Sequence, residues 1–278
     1  MSAFDPRLTL ARGDLAAVTL EGLVAADRYA APQPLRCVAP QTAIRRTASA
    51  QAEQLDQLLF GEVFDVLDET ADWAWGQARR DGYVGFVARA DLGALGERPS
   101  HQVAALRAFA FSRPDLKSQA LGPLSLNALV CVGAREGRFV EVAGLGWMFE
   151  HQLSPLGRVQ CDFVAVAERF VGAAYLWGGR QSDGLDCSGL VQQALLACGR
   201  SCPRDTDLQQ ALGAPAPAEA LRRGDLVFWR GHVAIMVDGA HIVHANAHHA
   251  AVAIEPLAEA IARIEASGSG RPTAHRRP

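Results

Sequence analysis

Between residues 36 and 155, apolar and polar residues alternate along short segments that glycine, aspartate and proline residues separate. This period-two alternation is typical of half-buried β-strands joined by tight turns. Two sets of segments, residues 60–87 and 103–149, each end in a glycine followed by an aromatic residue. The pattern thus repeats at roughly 60 residues. We therefore predict two related small β-barrels, residues 36–98 and 99–155.

The regions on either side follow other patterns. Residues 1–35 are predicted to be an N-terminal extension, partly helical. From residue 156 the apolar spacing becomes helical, over residues 162–174 and again from Cys187 to Cys198. Strand-like runs follow at residues 225–229, 232–237, 241–246 and 251–254. Helices followed by antiparallel strands indicate an α+β domain over residues 156–267, and the tail, residues 268–278, is predicted to be disordered.

The segment Asp186-Cys187-Ser188-Gly189-Leu190 carries the strongest chemical signal. Asp186 is a good N-cap, so Cys187 is expected at the start of a helix, where a thiol pKa falls and a thiolate becomes a nucleophile. Histidines follow on predicted strands, at positions 232 and 244. This is the residue set of a thiol hydrolase, with Cys187 attacking, His232 accepting its proton and His244 fixing the tautomer of His232.

The hairpin that joins the two histidines tests this interpretation. A two-residue turn at Asp238-Gly239 would place His232 and His244 on opposite faces of the sheet. A three-residue loop, Val237-Asp238-Gly239 with Gly239 in the left-handed conformation, would place His232 directly opposite His244 on one face. We predict this glycine-bulged loop.

Composition excludes several functional classes. The 278-residue chain has a formal net charge of −3, which offers no basic surface for nucleic acid or for a membrane. The N-terminal residues lack the apolar core of a signal peptide, and no segment is long enough to span a bilayer. Without a secretion signal, the six cysteines are expected to be reduced thiols in the cytoplasm.

A metal site is a competing interpretation of some of the same residues. Cys198 and Cys202, with His241, His244, His248 and His249, have the residue types of a zinc site. Neither the cysteine pair nor the histidine cluster repeats a standard ligand spacing, and Cys198 continues the apolar stripe of its predicted helix. We favour no metal and no cofactor.

Several motifs in this order resemble the NlpC-type cell-wall cysteine peptidases, which have a papain-like fold. The motifs, which span residues 160–255, are Tyr175-Leu176-Trp177-Gly178-Gly179, Asp186-Cys187-Ser188-Gly189-Leu190, Pro203-Arg204-Asp205-Thr206, Arg223-Gly224-Asp225-Leu226, Gly231-His232-Val233 and His244-Ala245. The upstream barrels resemble paired bacterial SH3-like domains, through Gly61-Glu62 and Asp81-Gly82-Tyr83-Val84-Gly85-Phe86. The resemblance implies hydrolysis of the bond between γ-D-glutamate and the following diamino acid.

The resemblance also implies roles for individual residues. Tyr175, with the Cys187 backbone N–H, is expected to stabilise the oxyanion. The free amine of an N-terminal L-Ala is expected to bind Asp186, Ser188 and Thr206, a threonine where serine is usual. The first SH3-like domain is expected to add a tyrosine, Tyr83, and a carboxylate, either Glu53 or Glu62.

The expected partner is therefore a small muropeptide, L-Ala-γ-D-Glu-diamino acid, recycled in the cytoplasm. The SH3-like domains are expected to block the non-primed end of the active site, so that only a free N-terminus fits. A non-catalytic wall-binding protein stays open as a second hypothesis, and an amidase or acyltransferase on the same Cys-His scaffold as a third. The sequence also leaves open the oligomeric state and the choice between diaminopimelate and lysine.

Overall fold

The computed structural model describes residues 4–278. Its N-terminal unit, which ends at Leu156, consists of short strands. The first group is β1 Ala11–Arg12, β2 Leu15–Ala17, β3 Tyr29–Ala30, β4 Gln33–Cys37, β5 Gln41–Arg45, β6 Gln54–Leu59, β7 Val63–Glu69, β8 Trp73–Ala78, β9 Val84–Ala88 and β10 Leu92–Gly93. The second is β11 His101–Val103, β12 Arg107–Phe111, β13 Ala120–Ser125, β14 Leu129–Val130, β15 Val132–Glu136, β16 Phe139–Val142, β17 Gly146–Phe149 and β18 Leu153–Pro155. Single 3₁₀ turns lie at Val18–Leu20, Arg89–Asp91 and Glu150–Gln152.

The first SH3-like domain is a seven-stranded sheet in the order β10-β4-β7-β8-β9-β5-β6. Phe64 and Val66 of β7 point into its core, while Asp65 between them faces outward and pairs with Arg79. The alternation in the sequence thus becomes the two faces of a strand. Ile44 and Leu58 from β5 and β6 are fully buried in the same core.

Of the N-terminal extension, residues 1–3 lie outside the described residues, and over residues 4–35 the expected helical content is limited to the 3₁₀ turn at Val18–Leu20. Strands β1, β2 and β3 form a small sheet of their own, and β4, which starts at Gln33, belongs to the first SH3-like sheet. Leu10 and Leu15 are buried in a cluster with Trp75 and Val84 of that domain. The segment is therefore ordered by packing against the neighbouring barrel. Its own hydrophobic pattern could not predict this packing.

The second SH3-like domain contains a three-stranded sheet, β14-β11-β18, and a five-stranded sheet, β13-β12-β17-β16-β15. Leu59 and Phe60, at the end of β6, pack into its core beside Val103 and Met148. The next residue, Gly61, has a φ of +82° and lies so close to Leu129 that a Cβ would stand 2.0 Å from its carbonyl oxygen. The Gly61-Glu62 motif therefore lies at the junction of the two barrels.

The C-terminal unit, from Gly157, combines helices with one large sheet. Its elements are α1 Phe163–Glu168, β19 Ala174–Tyr175, β20 Arg180–Gln181, β21 Gly184–Leu185, α2 Cys187–Ala197, α3 Thr206–Gln209, β22 Ala214–Pro215, a 3₁₀ turn at Ala218–Ala220, β23 Leu226–Trp229, β24 His232–Met236, β25 His241–Asn246, β26 Ala251–Pro256, α4 Leu257–Ala266 and β27 Ala274–Arg277. The sheet order is β20-β21-β19-β26-β25-β24-β23-β27-β22. The predicted α+β class is confirmed, although α1 is shorter than its predicted span.

The prediction of a disordered tail is wrong for its last residues. Strand β27 pairs antiparallel with both β23 and β22 inside the large sheet. Its Arg277 binds the carboxylate of the buried Asp225 with two hydrogen bonds of 2.7 Å. The pairing partners lie far upstream in the chain, so local composition could not reveal this strand. Among residues 4–278, none of the helices has the length and apolar composition needed to cross a bilayer.

Candidate active site

Cys187 is the first residue of α2, and Asp186 caps that helix. The Asp186 carboxylate accepts hydrogen bonds from the Gly189 amide at 2.7 Å and from the Gly178 amide at 2.8 Å. It therefore holds the helix start against the Gly178-Gly179 turn. The amide of Cys187 lies in the first turn, where backbone N–H groups have no partner within the helix.

Close packing explains the glycine after Ser188. A Cβ built on Gly189 would lie 2.3 Å from the carbonyl oxygen of Gly179, nearer than any real side chain approaches. The two glycine-containing motifs therefore touch backbone to backbone. A second contact places Tyr175 near Cys187. Strand β19 pairs in parallel with β21, so Tyr175 stands beside Leu185, two residues before Cys187 in the chain.

The thiol of Cys187 is buried between α2, α3 and β24. Its Sγ lies 3.8 Å from Thr206 Oγ1, and the Val233 backbone N–H donates to it. Burial raises the pKa of the thiol to about 11, and the nearby Asp186 carboxylate acts in the same direction, while the bonds from Val233 and Thr206 act in the opposite one. At neutral pH the resting thiol is therefore protonated, so the lowered pKa expected from its place at the helix start is not found, because burial outweighs the effect of the helix.

The hairpin between the histidines has a register that differs from the prediction. Met236 pairs with Ile242, and Asp238-Gly239-Ala240 form the loop. Gly239 is not left-handed, so the predicted glycine bulge is wrong. The Asp238 carboxylate makes the turn instead, by accepting from the amides of Ala240 and His241.

The two histidines nevertheless share one face of the sheet. The observed register differs from the predicted one by two residues, which preserves the side-chain alternation. Extended along the strands, it sets His232 across from Asn246, with His244 as the diagonal neighbour. His232 Nε2 lies 2.8 Å from His244 Nδ1, so the predicted contact is confirmed by a different route.

Beyond His244 the contacts continue to two residues that no sequence pattern singled out. His244 Nε2 lies 2.6 Å from Glu255 Oε1, and Arg263 of α4 donates to both Glu255 oxygens at 2.5 Å. Glu255 is on β26, where Ala253 pairs with His244, so it is again a diagonal neighbour. An extension of the predicted strand 251–254 by one residue would have found it.

Burial is the dominant influence on both imidazoles. It lowers the pKa of His232 to about 3, aided by His244 and Arg263, and that of His244 to about 4. Burial alone would raise the pKa of Glu255, but hydrogen bonds from Arg263 and His244 outweigh it and lower that pKa to about 2. The resting site therefore contains two neutral imidazoles and one ionised carboxylate.

The remaining predicted residues near Cys187 fall into one polar cluster. Ser188 Oγ donates to Asp186 Oδ1 at 3.2 Å, and Arg204 donates to both Ser188 Oγ and Asp186. Arg204 is fully buried, and its motif alone did not predict this role. Burial, with the nearby Cys187 and Asp186, raises the pKa of Tyr175, which keeps its hydroxyl protonated as a hydrogen-bond donor. The substrate-binding role of Asp186, Ser188 and Thr206 stays a prediction.

The predicted residues of the first SH3-like domain have different partners, although Arg46, the partner of Glu53, lines the same cavity as Tyr83. Glu62 is buried, binds Arg80 at 2.8 Å and accepts from the Leu59 amide, which are contacts that hold the β6–β7 turn. Glu53 forms an ion pair with Arg46 at 2.7 Å. Tyr83 is buried and lines a cavity of about 310 Å³ with Trp75. Their roles in substrate binding stay predictions.

The metal-binding hypothesis gains no support from Cys198 and Cys202. Among residues 4–278, the three potential ligands that lie close together are His244, His249 and Glu255, with ligand atoms within 4.8 Å. Both ring nitrogens of His244 are already hydrogen-bonded, and Arg263 occupies both oxygens of Glu255. A cation would therefore have to displace contacts that hold the histidine pair.

Comparisons with known proteins identify the domains of this chain. Residues 172–268 match the NlpC/P60 family, and residues 44–92 match the bacterial dipeptidyl-peptidase SH3 domain. A gamma-D-glutamyl-L-lysine dipeptidyl-peptidase of Bacillus subtilis (strain 168) is 27% identical over 226 residues, 74% of this chain and 76% of that protein. One from Bacillus cereus (strain ATCC 10987 / NRS 248) is 31% identical over 104 residues, 34% of this chain and 31% of that protein.

A solved structure supports the architecture. An NlpC/P60 family protein from Bacillus cereus ATCC 10987 superposes with a TM-score of 0.76 at 17% identity, over 88% of this chain and 99% of that chain. The predicted fold class, a papain-like domain preceded by SH3-like domains, is thereby confirmed. The chain carries an NlpC/P60 domain and a bacterial dipeptidyl-peptidase SH3 domain, and it is homologous to the gamma-D-glutamyl-L-lysine dipeptidyl-peptidases.

Proposed function

We propose that this protein is a cysteine peptidase that hydrolyses the γ-D-Glu–diamino acid bond of muropeptides with a free N-terminal L-Ala. The observation that carries the proposal is a buried thiol at a helix start, next to strand β24, whose His232 is hydrogen-bonded to His244 of β25. The activity for which the similar Bacillus subtilis dipeptidyl-peptidase is named supports the choice of bond.

The chemistry follows from the protonation states. His232 Nε2 faces His244, so Nδ1 is the nitrogen that takes the proton of the Cys187 thiol. The sulfur then attacks the γ-carbonyl of D-glutamate, and the oxyanion is stabilised by the Cys187 amide and the Tyr175 hydroxyl. Collapse of the tetrahedral intermediate breaks the C–N bond, and the imidazolium protonates the departing amine. Water, deprotonated by His232, hydrolyses the thioester.

Recognition of the free amine is the part of the proposal that concerns selectivity. Asp186, Ser188 and Thr206 surround the nucleophile with one carboxylate and two hydroxyls, which suit an ammonium group. Arg204 already neutralises much of the Asp186 charge, so the hydroxyls matter more than the family resemblance suggests. Tyr83→Phe and Glu53→Gln test the contribution expected from the first SH3-like domain.

A cavity next to the histidine pair supports a preference on the leaving-group side. It measures about 400 Å³ and is lined by His232, His244, Arg230 and Arg263. Its lining, within residues 4–278, contains two guanidinium groups and no carboxylate. Arg263 is already paired with Glu255, so Arg230 is the cationic group of this lining that would favour diaminopimelate, which has a second carboxylate, over lysine.

We further propose that the enzyme acts on peptides recycled in the cytoplasm. The six cysteines are all free of disulfides, and Cys37 and Cys202 are buried thiols. Free thiols are the usual condition of cysteines in a reducing compartment. Cell fractionation with an antibody to the native protein tests this location.

Mass spectrometry of L-Ala-γ-D-Glu-diaminopimelate, incubated with the wild type and Cys187→Ala, tests the main proposal. We expect L-Ala-D-Glu from the wild type alone, and none from the N-acetylated peptide. Cleavage of both peptides would remove the amine requirement. If neither peptide is cleaved by a folded wild type, the protein is not this peptidase, and the binding or acyl-transfer hypothesis takes its place.

A further inference from the structure

A buried carboxylate stands at the end of the histidine pair. The Glu255 side chain is about 8% exposed and contacts His244 through Oε1, the same oxygen that accepts from Arg263 Nη2. Its second oxygen accepts from Arg263 Nη1. Both oxygens are therefore engaged by protein donors, and the negative charge is balanced by one guanidinium.

These contacts determine where each proton sits. An ionised carboxylate can only accept, so His244 must carry its proton on Nε2. A neutral imidazole has a single N–H, so His244 Nδ1 is an acceptor, and His232 Nε2 must be the donor in the 2.8 Å contact. His232 is then left with an unprotonated Nδ1, the state that a base for the thiol requires.

We propose that Glu255, held by Arg263, is a positioning residue that fixes the tautomers of both His244 and His232. Its part in catalysis rests on the proposed peptidase function, whereas the tautomers are properties of the resting protein. The carboxylate also stabilises positive charge on the imidazole pair when His232 takes the thiol proton. A histidine pair without this anchor could carry its shared proton in either direction.

NMR of the ¹⁵N-labelled histidine rings tests the assignment without substrate. In the wild type we expect His232 and His244 both protonated on Nε2 at pH 7. Glu255→Gln replaces one acceptor oxygen by a donor, so His244 is no longer compelled to keep its proton on Nε2. The Nδ1-protonated form of His232 should then become measurably populated.

Asp225→Asn is the matched control. It also removes a buried carboxylate that an arginine holds with two bonds, but its partner is Arg277 rather than a histidine. This control should leave the ring tautomers as in the wild type. If Glu255→Gln leaves them unchanged too, or if the wild-type His232 carries its proton on Nδ1, the proposal is wrong.

Kinetics provide the second readout. We expect Glu255→Gln to lower kcat by about 10- to 100-fold with KM nearly unchanged, the loss typical of an outer-shell carboxylate that orients a functional histidine. The acid limb of its pH profile should move to lower pH, because loss of the negative charge lowers the imidazole pKa. Glu255→Asp, which keeps the charge, should keep the wild-type limb. An unchanged profile in Glu255→Gln would contradict the role, whereas inactivity of the wild type would bear only on the proposed function.

Discussion

Two of the buried carboxylate–arginine pairs in the C-terminal unit lie beside the predicted catalytic residues: Asp186–Arg204 at the start of α2 and Glu255–Arg263 between β26 and α4. Their ion pairs are similar, but the remaining partners differ. Asp186 also accepts from two backbone amides and a hydroxyl, whereas Glu255 also accepts from an imidazole. Asp186 therefore holds the backbone around the predicted nucleophile, whereas Glu255 is the carboxylate that we propose fixes the histidine tautomers. The further partners of each carboxylate, rather than its arginine, therefore distinguish the two pairs.

The arginines differ as well. The Arg204 side chain is 1% exposed, while that of Arg263 is 27% exposed. A charge left without its partner is costly when water cannot reach it. Substitution of Asp186 should consequently affect mainly the stability of the fold, and substitution of Glu255 mainly the protonation of the histidines.

The largest effect is expected for Asp186→Asn. It leaves Arg204 buried beside a neutral amide and weakens the cap of α2, so the free energy of unfolding should fall by about 3–5 kcal/mol. Glu255→Gln should cost less, because Arg263 can turn toward water. Urea denaturation of both variants measures the difference. Equal decreases in the free energy of unfolding would show that burial of the arginine does not determine how much stability is lost.

The pH dependence of stability should be the next largest effect. The pKa of His244 is about 4 in the folded protein, against 6.5 for an unperturbed histidine. Between these values the unfolded chain binds more protons, so stability falls as pH decreases from about 6.5 toward 4. At pH 5 we expect about 2 kcal/mol less stability from this residue than at pH 7.

Urea denaturation at pH 7 and pH 5 checks this expectation. The buried His232 adds to the loss in the same direction, since its pKa is also lowered. Glu255 contributes little between pH 7 and pH 5, because its lowered pKa affects stability mainly below about 4.5. His244→Gln should reduce the pH-dependent loss, and an unaltered loss in that variant would assign it to different groups.

The smallest effect is expected for Thr206→Val. The hydroxyl 3.8 Å from the thiol lowers the Cys187 pKa, so its removal should slow alkylation by iodoacetamide at pH 8 about twofold, the value of one weak hydrogen bond. Thr206→Ser keeps the hydroxyl and should alkylate at the wild-type rate. A slow serine variant would indicate that the methyl group, through packing, is what matters.

The Asp186–Arg204 pair also bears on the requirement for a free amine that the family resemblance implies. Asp186 is predicted as a ligand for substrate, yet its oxygens already hold two amides, a hydroxyl and Arg204. A helix cap can be recognised from one residue and the apolar spacing after it. Arg204, which shares the carboxylate, lies 18 residues downstream, and its motif does not indicate that it contacts Asp186.

Local chemistry could be predicted from the sequence alone: a cysteine after an N-cap, the strand alternation of the barrels, and the parity that keeps His232 and His244 on one face. Each depends on residues a few positions apart, where helix and strand periods apply. The hairpin register, the strand at Ala274–Arg277 and the contacts of Glu255 with His244 and Arg263 emerge only in the folded protein. These depend on which distant strands pair and on which charges become buried together, and both are outcomes of packing rather than of local pattern.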